Sequence, residues 1–330
     1  MQTRHFHSLT EAAGGATILV FGLFLFSLQD IILKHFSDKY SVLQLVFLRG
    51  LIAIVLMLAF LKLVKKSVPL WSSKPKLILA RGLLGFSSYI AYYLAIAAMP
   101  LAEVVAITFT MPLFVTAMSA VILGEKVGMR RWGAVIFGFI GVMVMLSPSG
   151  DFNLLAVALA FAAAITYASH TVLTRFLSSH DDPLTIAFNA MLIFTLASAL
   201  LSTLILSGTI AVSSEHPSLA FFGRDWAMPG ALDMLLILAI GAIAAIGFYC
   251  LSKAYCMAEA SALAPFEFTY IIWAVVFGYL FWNEIPGEAT IAGILILVSS
   301  SLYISYRERQ LEKRARLNQA ESAELASENA

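Results

Sequence analysis

The sequence predicts an all-α integral membrane protein with ten transmembrane helices, and three observations support this. Of the 330 residues, 60% are hydrophobic and only 12% are charged, against about 25% charged residues in an ordinary globular protein. The mean hydropathy is +0.88. Apolar windows of about 20 residues, the length that crosses a bilayer as a helix, recur along the chain. This composition excludes a soluble enzyme, and a net charge of +1 leaves no basic surface for nucleic acid.

The ten apolar segments are separated by short polar breaks, which set their approximate ends. The first segment carries Gln29 and Asp30 and is longer than the apolar region of a signal peptide, so we expect it to remain as an anchor. Breaks as short as Met99-Pro100 make consecutive helices antiparallel neighbours. Only the two tails and a loop over 207–231 fall outside the pattern. The predicted spans are 16–36, 42–63, 77–98, 101–123, 132–148, 153–176, 184–206, 232–256, 260–282 and 287–306.

The basic residues predict the orientation of these spans, because lysine and arginine concentrate in cytoplasmic loops. With the N-terminus inside, fifteen of them lie on the inner side and three on the outer side, and the other three lie within or at the edge of spans. We therefore expect a multi-pass protein of the inner (plasma) membrane with both termini in the cytoplasm.

An internal repeat relates the two halves of the chain at a shift of 159 residues. Glu125-x-x-Gly128 matches Glu284-x-x-Gly287, and Phe109-Thr110 matches Phe268-Thr269. Five helices in each half would make the two copies cross the membrane in opposite directions, the inverted-repeat arrangement common in secondary transporters. The predicted organisation is a cytoplasmic tail over 1–15, repeats over 16–148 and 153–306, and a charged cytoplasmic tail over 307–330.

The residues of the first half resemble a known family. The stretch from Tyr93 to Glu103, its continuation to Pro112-Leu-Phe, and Leu-Gly-Glu125 with Arg131-Trp132 resemble the first EamA repeat of the drug/metabolite transporter superfamily. A more diverged second copy has Ala258-Glu-Ala-Ser-Ala262 and Asn283-Glu284 in the matching places. The resemblance covers roughly 16–306 and implies a ten-helix transporter made of two inverted EamA repeats.

Two shorter stretches are similar to one bacterial branch of that family. Phe47-Leu-Arg49-Gly50 in the second span and Arg81-Gly82-Leu-Leu in the third resemble the branch that includes S-adenosylmethionine and riboflavin uptake carriers. Amino-acid exporters share the same architecture, so the resemblance leaves import and export both open.

Asp30 and Arg49 are the first candidate functional pair. They lie at similar depth in the outer halves of the first two spans, where an unpaired charge would cost about 2.5–3.5 kcal/mol. Their similar depth allows them to pair. The pair either locks two helices together or serves as a gate or a site for the substrate's charge.

Lys253 and Glu267 form a second candidate pair near the inner ends of the eighth and ninth spans. Glu267 follows Pro265, whose ring frees backbone carbonyls within a helix. It is a candidate proton carrier or ligand for a cationic substrate, or else a structural acid paired with Lys253. Pro112 breaks the fourth span similarly, beside Thr108, which predicts two discontinuous helices around a central cavity.

Aromatic residues supply the remaining candidates. Tyr89 and Tyr93 are four residues apart, so both hydroxyls lie on one face of the third span. They either line a wet cavity or pack between helices. Trp273 and Phe109 could stack on a flat or cationic substrate if they face the same cavity.

Two other patterns indicate structure rather than chemistry. His170 has no second histidine or cysteine at ligand spacing, which favours a hydrogen-bonded helix contact over a metal ligand. Asp181-Asp182 lacks a second acidic cluster, and Asp182-Pro183 is typical of a helix cap. We therefore expect no catalytic residue, no metal and no cofactor.

The leading hypothesis is a secondary transporter that moves a small polar organic metabolite by alternating access. A nucleotide-binding G-x-x-x-x-G-K-[ST] loop is absent from the sequence, so an ion or substrate gradient, with protons as a candidate ion, is the simplest driving force. Membrane lipids are the other expected partner, through the basic tail. The alternatives are an integral-membrane lipid or isoprenoid transferase, which would need clustered carboxylates or histidines, and a channel.

Overall fold

The computed structural model describes residues 9–64, 69–122, 129–145, 153–177, 181–212, 215–257, 266–303, Tyr306 and Gln310, and throughout these ranges the regular structure is helical. A 3₁₀ turn over Phe36–Asp38 follows the first helix. The helices are α1 Leu9–His35, α2 Val42–Val64, α3 Pro75–Ile96, α4 Leu101–Thr108, α5 Met111–Ile122, α6 Met129–Met145, α7 Leu154–Leu177, α8 Pro183–Leu206, α9 Pro217–Gly223, α10 Ala231–Met257, α11 Thr269–Trp282 and α12 Glu288–Tyr303.

Six helices of the described chain are long and apolar enough to cross a membrane. They are Gly14–Asp38, Val42–Leu63, Pro75–Ile96, Leu154–Thr174, Leu184–Leu206 and Ala231–Leu251. The fourth, fifth, ninth and tenth predicted spans correspond to shorter apolar helices, at Leu101–Val115, Trp132–Val144, Thr269–Trp282 and Glu288–Tyr303. The prediction of a multi-pass all-α membrane protein is therefore confirmed.

The ends of several helices follow from local sequence signals. The Asp182 side chain accepts a hydrogen bond from the Leu184 amide at 2.8 Å, and Pro183 opens α8, so the predicted cap is confirmed. Asn283 adopts a left-handed conformation, with a φ of 57°, and ends α11. The predicted loop over 207–231 contains α9, which begins at Pro217 because the His216 ring accepts from the Ser218 amide at 3.2 Å.

The main helix contacts join the two halves of the chain. Helix α1 packs on α10, α2 on α8 and α10, and α3 on α7. A core cluster of apolar side chains from both halves, including Phe36, Val105 and Ile271, runs through the bundle. The halves therefore share one interior, and side chains from distant parts of the sequence meet there.

The contact between α2 and α10 requires a glycine at position 241. A Cβ atom there would lie 2.4 Å from Cγ2 and 2.6 Å from Cβ of Ile52, and the second of these atoms cannot rotate away. We expect Gly241→Ala to lower the unfolding free energy by about 1–3 kcal/mol through overpacking. Thermal unfolding in detergent measures this.

Gly133 in α6 is the matched control, because a Cβ atom there would meet nothing within 4 Å. Alanine is a better helix former than glycine by about 1 kcal/mol, so Gly133→Ala should leave the melting temperature unchanged or raise it. Equal melting temperatures for the two variants would contradict the close approach.

Candidate functional site

Asp30 lies at the centre of a buried polar cluster formed by α1, α2, α3 and α11. Its side chain is only 2% exposed. One carboxylate oxygen accepts a hydrogen bond from the Tyr93 hydroxyl at 2.6 Å. The other accepts from the Tyr92 hydroxyl at 2.8 Å and from the Tyr270 hydroxyl. Three phenols from two other helices thus satisfy a carboxylate at membrane depth.

Gln29 separates Asp30 from Arg49. The Gln29 amide nitrogen donates to the Tyr93 hydroxyl at 2.9 Å, and its oxygen accepts from Arg49 Nη1 at 2.9 Å. The two charged side chains are thus linked through the Gln29 amide rather than by a direct hydrogen bond. Consecutive residues of an α-helix point about 100° apart, because the helix has 3.6 residues per turn. Gln29 therefore reaches Arg49 of α2 as well as Tyr93 of α3, while Asp30 faces α3 and α11.

The Arg49 guanidinium is buried against an aromatic face. The side chain is 1% exposed, and its central carbon lies 4.2 Å from the centroid of the Tyr89 ring, a cation–π contact. The Tyr89 and Tyr93 rings are 4.4 Å apart, on the shared helix face that their spacing predicts. Among the described residues, neither Nε nor Nη2 of Arg49 meets a hydrogen-bond acceptor.

Trp273 lies on α11, one turn after Tyr270. Its ring packs edge-on against Phe24 at 4.9 Å and stacks on Phe277 at 5.9 Å. Its buried Nε1 also lacks an acceptor within the part of the chain that the structure describes. Trp273 and Arg49 therefore carry buried donors with no acceptor among the described residues, at positions that the sequence selects as candidates.

Phe109 and Phe268, which occupy equivalent positions in the two halves, are in contact. Their ring centroids are 5.4 Å apart, and Phe109 also lies 6.3 Å from Tyr270. Phe109 is in the turn between α4 and α5. Thr108 ends α4, where its hydroxyl donates to the Val104 carbonyl at 2.8 Å, and Pro112 is the second residue of α5.

Lys34 and Glu284 join one end of the bundle. Lys34 Nζ lies 2.5 Å from one Glu284 oxygen and donates to the Met99 carbonyl at 3.2 Å. The other Glu284 oxygen accepts from the Leu101 amide, at the beginning of α4, at 3.0 Å. We name Lys34, Met99, Leu101 and Glu284 the end bridge. It ties α1 to the beginning of α4 and to the second residue after α11.

A second polar contact at the same end joins the connection between α1 and α2 to α10 through the Asp233 carboxylate. This carboxylate accepts from Lys39 and, at 2.6 Å, from the Tyr40 hydroxyl. The hydrogen bond to Asp233 raises the pKa of the exposed Lys39 ammonium above its usual value.

A separate polar cluster joins α3 to α7. Arg81 Nε donates to the Thr174 hydroxyl at 2.8 Å, and Arg81 Nη2 lies 3.3 Å from His170 Nε2. His170 Nδ1 lies 3.1 Å from the Arg81 carbonyl, which can only accept, so Nδ1 carries the proton. The prediction that His170 is a hydrogen-bonded helix contact is confirmed. The described residues contain no group of three or more metal-binding side chains.

The meeting of Lys253 and Glu267 across the bundle stays a prediction. Lys253 is exposed on α10, and its ammonium lies 5.7 Å from the Tyr249 ring one turn earlier. Glu267 is half-buried and acts electrostatically on Tyr167 of α7. Pro265 and Glu125 lie outside the described residues.

Sequence reasoning did not select Tyr92, Tyr270 or Lys34. Tyr92 immediately precedes Tyr93, and Tyr270 immediately follows the repeat pair Phe268-Thr269. Proximity to a motif is the one sequence signal that could have indicated these two tyrosines. Asp181, by contrast, binds Ser72 and Ser73 of the loop before α3, a structural role.

Comparison with known proteins identifies relatives over most of the chain. The S-adenosylmethionine uptake transporter of Rickettsia prowazekii is 25% identical over 285 residues, which cover 86% of this chain and 90% of the relative. The riboflavin transporter of Vibrio cholerae is 33% identical over 219 residues, 66% of each chain. The pseudopaline exporter of Pseudomonas aeruginosa is 26% identical over 294 residues, 88% of this chain and 95% of the relative.

A crystal structure of a protein with 18% identity has the same fold, with a TM-score of 0.60 over 92% of this chain and 100% of that one. The model of the EamA-like transporter family matches residues 13–147 and 154–306. The two ranges matched by the family model together cover nearly all of the ten predicted apolar segments. The chain therefore belongs to the EamA-like transporter family.

Proposed function

We propose that this protein is a secondary transporter that moves a small polar organic metabolite across the inner membrane by alternating access. The observation that carries this proposal is the buried polar cluster around Asp30 and Arg49, which holds donors that have no acceptor in the part of the chain that the structure describes. The relatives named above are an S-adenosylmethionine uptake transporter, a riboflavin transporter and a pseudopaline exporter. The transferase alternative gains no support from them.

The proposed architecture has ten spans in two inverted repeats, over 16–148 and 153–306. The contact between Phe109 and Phe268 supports it, because a pseudo-twofold axis would bring equivalent residues together where it crosses the bundle. The four shorter apolar helices would complete the ten spans. We propose Asp30, Arg49, Tyr89, Tyr93, Thr108 and Trp273 as lining of the substrate path, with the end bridge closing one side of it.

Flux through the purified protein in proteoliposomes tests the function. The panel is radiolabelled S-adenosylmethionine, riboflavin and several amino acids. We expect saturable uptake of at least one compound, and an accelerated exchange when the same compound is present inside. Flux equal to that of empty liposomes for the whole panel would contradict a metabolite transporter, and non-saturable flux would favour a channel.

The proposed orientation places both termini in the cytoplasm, on the basis of the fifteen-to-three distribution of basic residues. A reporter fused after Arg316 should therefore report a cytoplasmic position. A cysteine placed at Ser214 should react with an impermeant maleimide from outside. Labelling of this cysteine only after the membrane is permeabilised would contradict the proposed orientation.

Glu267 is the proposed site of proton coupling, since its carboxyl group lies half-buried near the start of α11. We expect Glu267→Gln to remove uptake driven by a pH gradient, because the amide keeps the shape and cannot carry a proton. Exchange at equal concentrations should continue, since it needs no net proton movement. Both modes are measured in proteoliposomes. Wild-type accumulation with wild-type pH dependence would assign Glu267 to packing.

A further inference from the structure

The Arg49 guanidinium uses only one of its two hydrogen-bonding edges. Nη1 donates to Gln29, and the Tyr89 ring covers one face of the group. Nε and Nη2 share the other edge and have no acceptor among the described residues, in a side chain that is 1% exposed. Two parallel N–H groups on one edge form the fork that binds both oxygens of a carboxylate.

Asp30 does not satisfy this fork, although it is the buried anion nearest to it along the chain. Its two oxygens already accept from Tyr92, Tyr93 and Tyr270. The carboxylate thus accepts three hydrogen bonds from neutral donors, whereas Nε and Nη2 of the guanidinium have no acceptor among the described residues. An anionic acceptor beside Nε and Nη2 of Arg49 would therefore stabilise the cluster, because a buried charged group without hydrogen-bond acceptors costs free energy.

The charge balance favours a singly charged acceptor. The cluster holds one arginine and one aspartate, so a group with a single negative charge adds less unpaired charge than a phosphate dianion would. A carboxylate also matches the planar geometry of the fork. A neutral heterocycle would supply lone pairs without the two equivalent, charged oxygens that the fork binds.

We propose that Nε and Nη2 of Arg49 bind a carboxylate of the transported molecule, and that the substrates are therefore amino-acid-type compounds rather than neutral flavin-type compounds. This inference rests on the proposed transport function and narrows it. Gln29 and Tyr89 hold the guanidinium in place, so that its fork is oriented before the substrate arrives.

Matched pairs of compounds that differ only in the carboxylate test the inference. The pairs are S-adenosylmethionine with its decarboxylated form, and tryptophan with tryptamine. Binding is measured by ligand-induced thermal stabilisation of the full chain in detergent, and transport by flux in proteoliposomes. For at least one pair we expect the carboxylated member to bind about 10–100-fold more tightly, the range for hydrogen bonds to a charged group.

Arg49→Lys keeps the charge and removes the planar fork, so it should reduce this preference to a few-fold while the protein still inserts and folds. Arg81→Lys is the matched control, because Arg81 is also a buried arginine of a span, 7% exposed, in the separate cluster with His170. The control should keep the wild-type preference.

The outcomes separate the inference from the function on which it rests. Transport of both members of a pair at equal rates, or equal loss of both in Arg49→Lys, overturns the carboxylate site and leaves the transporter intact. Carboxylate-dependent stabilisation without flux of any compound overturns the transporter and supports the site. Stabilisation by neither member of either pair overturns the site.

Discussion

Replacing Asp30 with alanine is expected to destabilise the protein more than any other single change in the cluster. The carboxylate accepts from three tyrosine hydroxyls, and interhelical hydrogen bonds in membranes contribute about 0.6–1.7 kcal/mol each. The loss should therefore be about 2–5 kcal/mol of unfolding free energy. Denaturation in mixed detergent micelles measures it. The single changes Tyr92→Phe, Tyr93→Phe and Tyr270→Phe should each cost about a third of this amount.

Asp38→Ala is the matched control, because Asp38 is exposed in the turn after α1 and its removal should change stability by less than about 0.5 kcal/mol. Asp30→Asn keeps the volume but turns one acceptor into a donor that faces tyrosine hydroxyls. We expect this variant to fold and to lose about tenfold in transport, equivalent to one hydrogen bond of about 1.4 kcal/mol.

Exchanging the two charges, with Asp30→Arg and Arg49→Asp in one chain, should restore neither the stability nor the transport activity that the single changes remove. The phenols that satisfy Asp30 and the Gln29 oxygen that satisfies Arg49 would both meet the wrong group. Full recovery in the double variant would show that the two charges act as a direct pair after all.

Breaking the end bridge is expected to open one side of the transport path. Lys34 and Glu284 have side chains that are 9% and 22% exposed, so their interaction lies between the ~1 kcal/mol of an exposed pair and the ~3 kcal/mol cost of breaking a buried one. A loss of about 1.4 kcal/mol would shift the open population about tenfold. Glu284→Ala, which also removes the acceptor of the Leu101 amide, should have the largest effect.

Cysteine labelling measures this opening. In a background without Cys250 and Cys256, a cysteine at Phe24 lies beside Trp273 and below the bridge. Its reaction with an impermeant maleimide should be about tenfold faster in Glu284→Ala than in the parent. Glu284→Gln retains an acceptor for Leu101 and should show a smaller rise. Glu288→Ala is the matched control, since Glu288 is exposed at the start of α12. An equal rise in labelling rate in this control would show that the end bridge does not close the transport path.

Much of the candidate site follows from residue type and spacing. Asp30, Arg49, Tyr89 and Tyr93 lie together, as a rare intramembrane charge and an i, i+4 tyrosine pair predict. Their depth in the membrane can be read from the sequence because each helical residue advances a fixed 1.5 Å. The rotation of one helix against another cannot be read in this way. For this reason the sequence did not indicate Gln29 as the link to Arg49 or Tyr92 and Tyr270 as partners of Asp30.

The sequence by itself determined that the chain lies in a membrane, that it is helical and which family it belongs to. Apolar segment length and local motifs are properties of contiguous residues, so they can be read directly. Only the tertiary structure decided which helices touch and which polar atoms remain unpartnered. The Tyr270–Asp30 and Lys34–Glu284 contacts join residues 240 and 250 positions apart. Such contacts depend on how buried helix faces are turned toward one another. Rotating α1 by a single residue, about 100°, would exchange Gln29 for Asp30 at Arg49.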